Sequence, residues 1–139
     1  ADAFGKSKHG PLACVACHKD LAATADFPHA SQLAAVNCAS CHDDQGASYR
    51  DSIHGRARNE AGLTKAAPSC ANCHGSHDIK GVKDEGGRVF RANVPATCGS
   101  CHEGIIQKYE TGVHAEARQA GQDRAPVCID CHSAHAIQR

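Results

Sequence analysis

Residues 70–77 read Cys70-Ala71-Asn72-Cys73-His74-Gly75-Ser76-His77. The first five form C-x-x-C-H, the sequence at which a c-type haem is attached. Its two cysteines form thioethers with one porphyrin, and the histidine that follows supplies an axial nitrogen to the iron. We therefore predict a covalent haem here, with His74 as the proximal ligand. The thioethers and His74 hold this stretch to one face of that haem, so His77 is either a ligand of a neighbouring iron or a surface histidine.

The C-x-x-C-H pattern occurs five times, and all 10 cysteines belong to it. The cysteines are Cys14 and Cys17, Cys38 and Cys41, Cys70 and Cys73, Cys98 and Cys101, and Cys128 and Cys131, and the histidines that follow them are His18, His42, His74, His102 and His132. Zinc knuckles or disulfides are the alternative, but zinc ribbons use C-x-x-C in pairs and five is odd. Histidine is 11 of 139 residues. At that frequency, the probability that all five C-x-x-C runs are followed by histidine by chance is roughly three in a million. We therefore predict five haem c cofactors.

The polypeptide has little material for an ordinary core. Leu, Ile, Val and Phe together make 20 of 139 residues, and there is no Trp or Met. Chains with so small a share of these four residues often stay disordered, because they cannot bury enough apolar surface to offset chain entropy. We expect a single domain over residues 1–139, mostly irregular with short α-helices and little β-structure. Five stacked haems would form its core, and the chain without haem would be largely unfolded.

An internal repeat divides the chain. Residues 38–79 align with 98–137, so each is a di-haem module. A first haem unit occupies residues 1–37, and a connector occupies 80–97. The matched positions include Tyr49/Tyr109, His54/His114, Pro68/Pro126, His77/His135 and Ile79/Ile137.

Local sequence predicts a few short elements. Helices are expected at His54–Ala61 and His114–Ala120, ended by Gly62 and Gly121. Residues 20–25 and 29–36 could also be helical. Residues 84–88 favour an exposed turn, and 88–91 favour a short strand.

Six histidines outside the motifs are candidates for the second axial position, since no methionine is available. They are His9, His29, His54, His77, His114 and His135. Four of them recur at matched repeat positions, which surface residues have no reason to do. His9 and His29 compete for the remaining site, unless one of them binds an iron in another subunit or stays free. Within each module, we expect His54 to serve the Cys70/Cys73 haem and His77 the Cys38/Cys41 haem, with His114 and His135 doing the same in the second module.

Charge and hydropathy limit location and partners. The 15 basic and 15 acidic residues balance, and two propionates per haem would make the loaded protein acidic, which does not support nucleic-acid binding. No apolar run is long enough to predict a transmembrane segment. The start at Ala1-Asp2-Ala3 suits a terminus left after signal cleavage. Because c-type haem is attached outside the cytoplasm, we expect an exported, periplasmic or extracellular protein.

These residues make the chain resemble bacterial multihaem c-type cytochromes. It is similar to small pentahaem donors of periplasmic nitrite reductases, to haem-wire subunits of outer-membrane conduits, and to cytochromes of metal-reducing bacteria. The "SIHG…APSCANCHGSH" run of residues 52–77 carries much of this likeness. The resemblance implies low-potential, bis-histidine haems that relay electrons between redox partner proteins. Some members of the family polymerise into extracellular filaments, so self-assembly is a further possibility.

The predicted function is therefore electron transfer without a substrate of its own, as a carrier or a wire subunit. The alternative is a multihaem oxidoreductase or a sensor, either of which needs one open iron. A C-x-x-C-K motif, typical of nitrite reductases, is absent, and no catalytic residue is predicted.

Overall fold

The computed structural model describes residues 2–23 and 33–138. About half of the described residues are helical, and none of them forms a strand. Nine short α-helices follow one another in these ranges: α1 Asp2–Gly5, α2 Cys14–Cys17, α3 Asp43–Arg50, α4 Ile53–Asn59, α5 Cys70–His74, α6 Val94–Gly99, α7 Glu103–Glu110, α8 Val113–Gln119 and α9 Cys128–His132. Single 3-10 turns cover Lys19–Leu21, Cys38–Ser40 and Arg91–Asn93. The expected mostly helical and irregular fold is thus present.

The helices predicted after His54 and His114 are present, each beginning one residue earlier than expected. Gly62 and Gly121 follow them with φ of 67° and 82°. This left-handed backbone is easiest for glycine, since it has no Cβ. The second helix ends at Gln119, one residue before the expected Ala120, whereas the first ends at Asn59, two residues before the expected Ala61. The glycine signal thus located the end of the second helix more closely than that of the first.

Of the other local predictions, the strand at 88–91 and the helix over 33–36 were wrong, whereas the turn at 84–88 was right. Residues 88–91 form turns leading into a 3-10 turn, because the Phe90 N–H bonds to the Gly87 carbonyl and no neighbouring strand is available. Residues 33–36 are not helical. In the 20–25 segment only a 3-10 turn is formed, and residues 24 and 25, like 29–32, lie outside the described part. The turn at 84–88 is present, with Gly87 N–H bonded to the Asp84 carbonyl.

The same local packing occurs in both predicted modules. In the first, α3 packs against the Cys38–Ser40 turn and against α4. In the second, α7 packs against α6, which carries Cys98, and against α8. The hydroxyl of Tyr49 donates to the Pro68 carbonyl, and that of Tyr109 donates to the Pro126 carbonyl. Each tyrosine thereby fastens its helix to the segment before the module's second C-x-x-C-H motif.

The polypeptide buries very little of itself. The buried apolar side chains of the described residues are only Ala67, Val94, Ala115, Ala125 and Val127, besides Pro95. The accessible surface is 9919 Å² for a mass of 14.5 kDa, whereas a folded monomer of this size exposes about 6,900 Å². The chain therefore exposes about 3,000 Å² more than a compact monomer of its mass.

No helix in the described ranges combines the length and the apolar character needed to cross a lipid bilayer.

Candidate haem-attachment sites

Each C-x-x-C-H motif forms one helical turn. The N–H of the motif histidine bonds to the carbonyl of the first cysteine at His18 (2.9 Å), His42 (3.0 Å) and His102 (3.0 Å). The other two motifs lie wholly within α5 and α9. Residues i, i+3 and i+4 share one face of a helix. Both thiols and the imidazole of every motif therefore lie on one face, as attachment to one porphyrin requires.

Residues between the cysteines stabilise these turns. Asn72 Oδ1 accepts from the Ser69 N–H (2.8 Å), and Asp130 Oδ2 accepts from the Val127 N–H (2.7 Å). Each carboxamide or carboxylate thus satisfies an N–H group just before its helix, which would otherwise lack a partner. In the first motif of each module, Ser40 and Ser100 instead donate to carbonyls before the turn, both at 2.8 Å.

The two motifs of a module lie side by side. The ten cysteines, all in the described ranges, form no disulfide with one another, and their side chains are exposed or half-buried. Burial and the neighbouring Cys128 raise the pKa of Cys98 to about 11. Burial and the neighbouring Cys70 likewise raise the pKa of Cys38. The first cysteines of the two motifs are therefore neighbours in both modules, which brings the two attachment sites of a module close together.

Four motif histidines each face a histidine from outside the motifs. The ring-centre distances are 5.9 Å for His9 and His42, 6.0 Å for His18 and His77, 6.0 Å for His54 and His102, and 5.9 Å for His74 and His135. The interplanar angles range from 14° for His74 and His135 to 40° for His9 and His42.

This uniform spacing fits a metal between the rings. Imidazole nitrogens bind metals at about 2.0–2.1 Å, as at zinc, and the ring centre lies about 1.1 Å further back, so two rings on opposite sides of one metal have centres about 6 Å apart. Burial lowers the pKa of His54, and His102 lowers it further. Burial also lowers the pKa of His74, with smaller effects from His135 and His42. Both shifts favour the neutral imidazole, the form that binds metal.

The observed pairs differ from those expected within modules. His54 lies against His102 and not His74, and His135 lies against His74 and not His102. His77 lies against His18, the histidine of the first haem unit, and His9 occupies the place expected for His77 beside His42. Matched sequence positions identified the candidates, but the packing of one unit on the next decides which rings meet.

His114 and His132 have a different setting. Among the described residues neither ring has a histidine neighbour at the spacing of the four pairs. A cavity of about 190 Å³ lies beside them, between the two motifs of the second module. Its lining combines apolar side chains with the motif groups, including Pro95, Ile106, Val127, Cys98, His102, His114, Cys128, Cys131 and His132. His29 lies outside the described residues.

Sequence patterns indicated the candidate ligands more clearly than the residues that hold the motif segments in place. Tyr49 and Tyr109 recur in the repeat, and that recurrence was the available signal for their bonds to Pro68 and Pro126. The Arg91 guanidinium pairs with both carboxylate oxygens of Asp130 at 2.9 and 2.8 Å. It also donates to the carbonyls of Asp123 and Ala125. No pattern in the sequence indicated this attachment of the connector to the last motif.

Comparisons with family models, curated proteins and solved structures find no match.

Within the described ranges, no group of three or more His, Cys, Asp or Glu side chains is arranged to hold a metal ion by itself. A haem iron needs only two protein nitrogens, since the porphyrin supplies the other four. Paired imidazoles beside paired thiols are therefore a sufficient donor set for haem.

Proposed function

We propose that this protein relays electrons through five covalently attached haem c groups, as an exported carrier or as a subunit of a haem wire. When bound, each haem supplies a one-electron iron couple. The role of the chain is to fix the haems, to saturate their irons with histidine, and to hold neighbouring groups close together. Its partners would be redox proteins that donate and accept electrons.

The observation that carries the proposal is the pairing of motif histidines with histidines from outside the motifs. Four of the five motif histidines have such a partner at 5.9–6.0 Å. Two imidazoles on one iron leave no position for a substrate, because the metal is then six-coordinate. Saturated irons suit electron transfer, whereas oxygen or substrate chemistry needs an open position. The fifth iron, at His132, would take its second nitrogen from His114 or His29.

The large exposed surface supports the same proposal. The chain exposes about 3,000 Å² more than a folded protein of its mass. Its thiols and motif imidazoles are exposed or half-buried and so form part of that surface. Five porphyrins would cover much of this area with apolar contact. The proposal thus accounts for a chain with almost no aliphatic core.

Mass spectrometry of the denatured holoprotein tests the haem count directly. We expect the mass of the chain plus five haems and no free thiol. A mass with four haems or fewer, or alkylation of a motif cysteine, contradicts the proposal.

Carbon monoxide binding separates electron transfer from the alternative functions. We expect the reduced protein to bind no carbon monoxide and the oxidised protein to have low-spin spectra only. One high-spin iron per chain, reactive towards carbon monoxide, would instead support an oxidoreductase or a sensor. The place to look for that iron is His132.

A further inference from the structure

Two backbone hydrogen bonds tie successive units together at matched positions. The N–H of Lys8 donates to the carbonyl of Ile79, and the N–H of Ile53 donates to the carbonyl of Ile137, both at 2.8 Å. Lys8 and Ile53 each stand immediately before a histidine, His9 or His54. Ile79 and Ile137 are matched repeat positions, each two residues after a histidine. The first haem unit thus docks on the first module as the first module docks on the second.

The histidine pairs follow the same rule. Each of these two interfaces contains two ring pairs that run in opposite directions, so each unit contributes one histidine to its neighbour. Between residues 1–37 and the first module the pairs are His9 with His42 and His77 with His18. Between the first and second modules the pairs are His54 with His102 and His135 with His74.

Backbone geometry at the end of a module suits this exchange. Helix α5 ends at His74 and is followed by Gly75 with φ 82° and ψ −174°, and α9 is followed by Ser133 with φ 60° and ψ 177°. This conformation turns the chain out of the helix direction before His77 or His135 is reached. The module therefore directs its last histidine away from its own motif helix and towards the preceding unit.

We propose that successive haem units exchange axial ligands, which rests on the function proposed above. His54 binds the iron held at His102, and His135 binds the iron held at His74. His9 and His77 make the equivalent exchange between the first unit and the first module. Each interface is thus closed by two iron–histidine bonds in opposite directions, and the irons held at His42, His74 and His102 take their second histidine from a neighbouring unit and not from their own module.

A variant that lacks one haem distinguishes exchange from pairing within modules. Replacing both thiols in Cys98→Ala/Cys101→Ala removes the haem at His102 and leaves four. In this background, exchange predicts that His54→Ala creates no new carbon monoxide site, because its iron is already gone. His135→Ala should create one, at His74. Pairing within modules predicts the reverse, one new site for His54→Ala and none for His135→Ala, and that result would overturn the proposal.

His77→Ala is the matched control. Its iron lies outside the second module under either pairing, so it should create one carbon monoxide site in the five-haem protein and one in the four-haem background. The haem count by mass is measured on every variant. Chains without haem would refute the proposed function itself, whereas five haems with the reverse carbon monoxide pattern would refute only ligand exchange.

A structure of the intact haem-loaded chain provides the test if the four-haem background does not fold. At each iron the two coordinating histidines can be read directly. His54 and His102 on one iron, with His74 and His135 on another, is the expected result. His54 and His74 on the same iron would overturn the proposal.

Discussion

The two modules share a sequence pattern and a local framework, yet their matched histidines have different surroundings. His54 is half-buried against His102, while His114 is exposed. The N–H of Ile53, the residue before His54, donates a hydrogen bond to the carbonyl of Ile137 in the next module. The matched Val113 is 72% exposed. The difference teaches that the environment of a repeat position depends on the unit packed against it.

The helices that contain these histidines, α4 and α8, are also capped differently. The Ser52 hydroxyl, fully buried, accepts from the Gly55 N–H (3.0 Å) and donates to the Tyr49 carbonyl (2.7 Å). Gly112, at the matched position, has no side chain to offer. The second module is instead secured at its other end by the Arg91–Asp130 pair, where the first module has uncharged Asn72.

The largest difference between the modules should come from removing the matched histidines. We expect His54→Ala to lower stability by about 4 kcal/mol, since loss of a metal bond is among the most damaging single changes. His114→Ala should cost clearly less, because no described unit packs against His114. Thermal unfolding of both holoproteins measures the contrast. Equal losses would mean that His114 ties its segment to an iron as firmly as His54 does.

Backbone strain after the motif helices gives the next contrast. Gly75 and Ser133 have nearly the same positive-φ conformation, which is suited almost only to glycine. Gly75→Ala should cost about 2 kcal/mol, and its Cβ would also clash with Asp78 Oδ1. Ser133→Gly should stabilise by about 1 kcal/mol, as it relieves the same strain. Denaturant unfolding of the two holoproteins checks the opposite signs, and a destabilised Ser133→Gly variant would contradict this account.

Helix capping should give a smaller contrast. Ser52→Ala removes the acceptor of the buried Gly55 N–H and should cost about 1–2 kcal/mol. The reciprocal Gly112→Ser change introduces a capping hydroxyl and should gain a few tenths of a kcal/mol. The extended backbone at Gly112, with φ −101°, is open to serine, although its Cβ would lie 3.3 Å from the Tyr109 carbonyl oxygen, a tight contact that limits the gain. Thermal melts of the pair measure this, and a neutral Ser52→Ala would show that the cap does not stabilise the fold.

The smallest effect on stability should come from the charge difference between Asp130 and the matched Asn72 in the motif helices. Asp130→Asn keeps an acceptor for the Val127 N–H, as Asn72 does in the first module, but removes the negative partner of Arg91. Because the pair is partly exposed, its contribution should be modest and should decrease with added salt. We expect a small fall in Tm at low salt that largely disappears at high salt. Asn72→Asp is the control, and a salt-independent loss in Asp130→Asn would argue against an ionic contribution.

Much of the candidate site could be predicted from local sequence. C-x-x-C-H needs only one helical turn to place two thiols and an imidazole on one face, and all five motifs have that form. Gly62 and Gly121 marked helix ends because positive φ is a property of the single residue. The strand expected at residues 88–91 was wrong, since a strand also requires a partner, and local sequence does not specify one.

What the sequence by itself determined was the list of groups: five C-x-x-C-H motifs, the histidine that ends each of them, and a repeat that includes most of the histidines outside them. Which of those histidines meet was decided only by the tertiary structure. His54 and His102 are far apart in the chain, and they meet at the interface where the Ile53 N–H donates to the Ile137 carbonyl of the next module. An attachment motif depends on neighbours a few residues away, whereas a ligand pair depends on how whole units pack, and that packing is not encoded in any one segment.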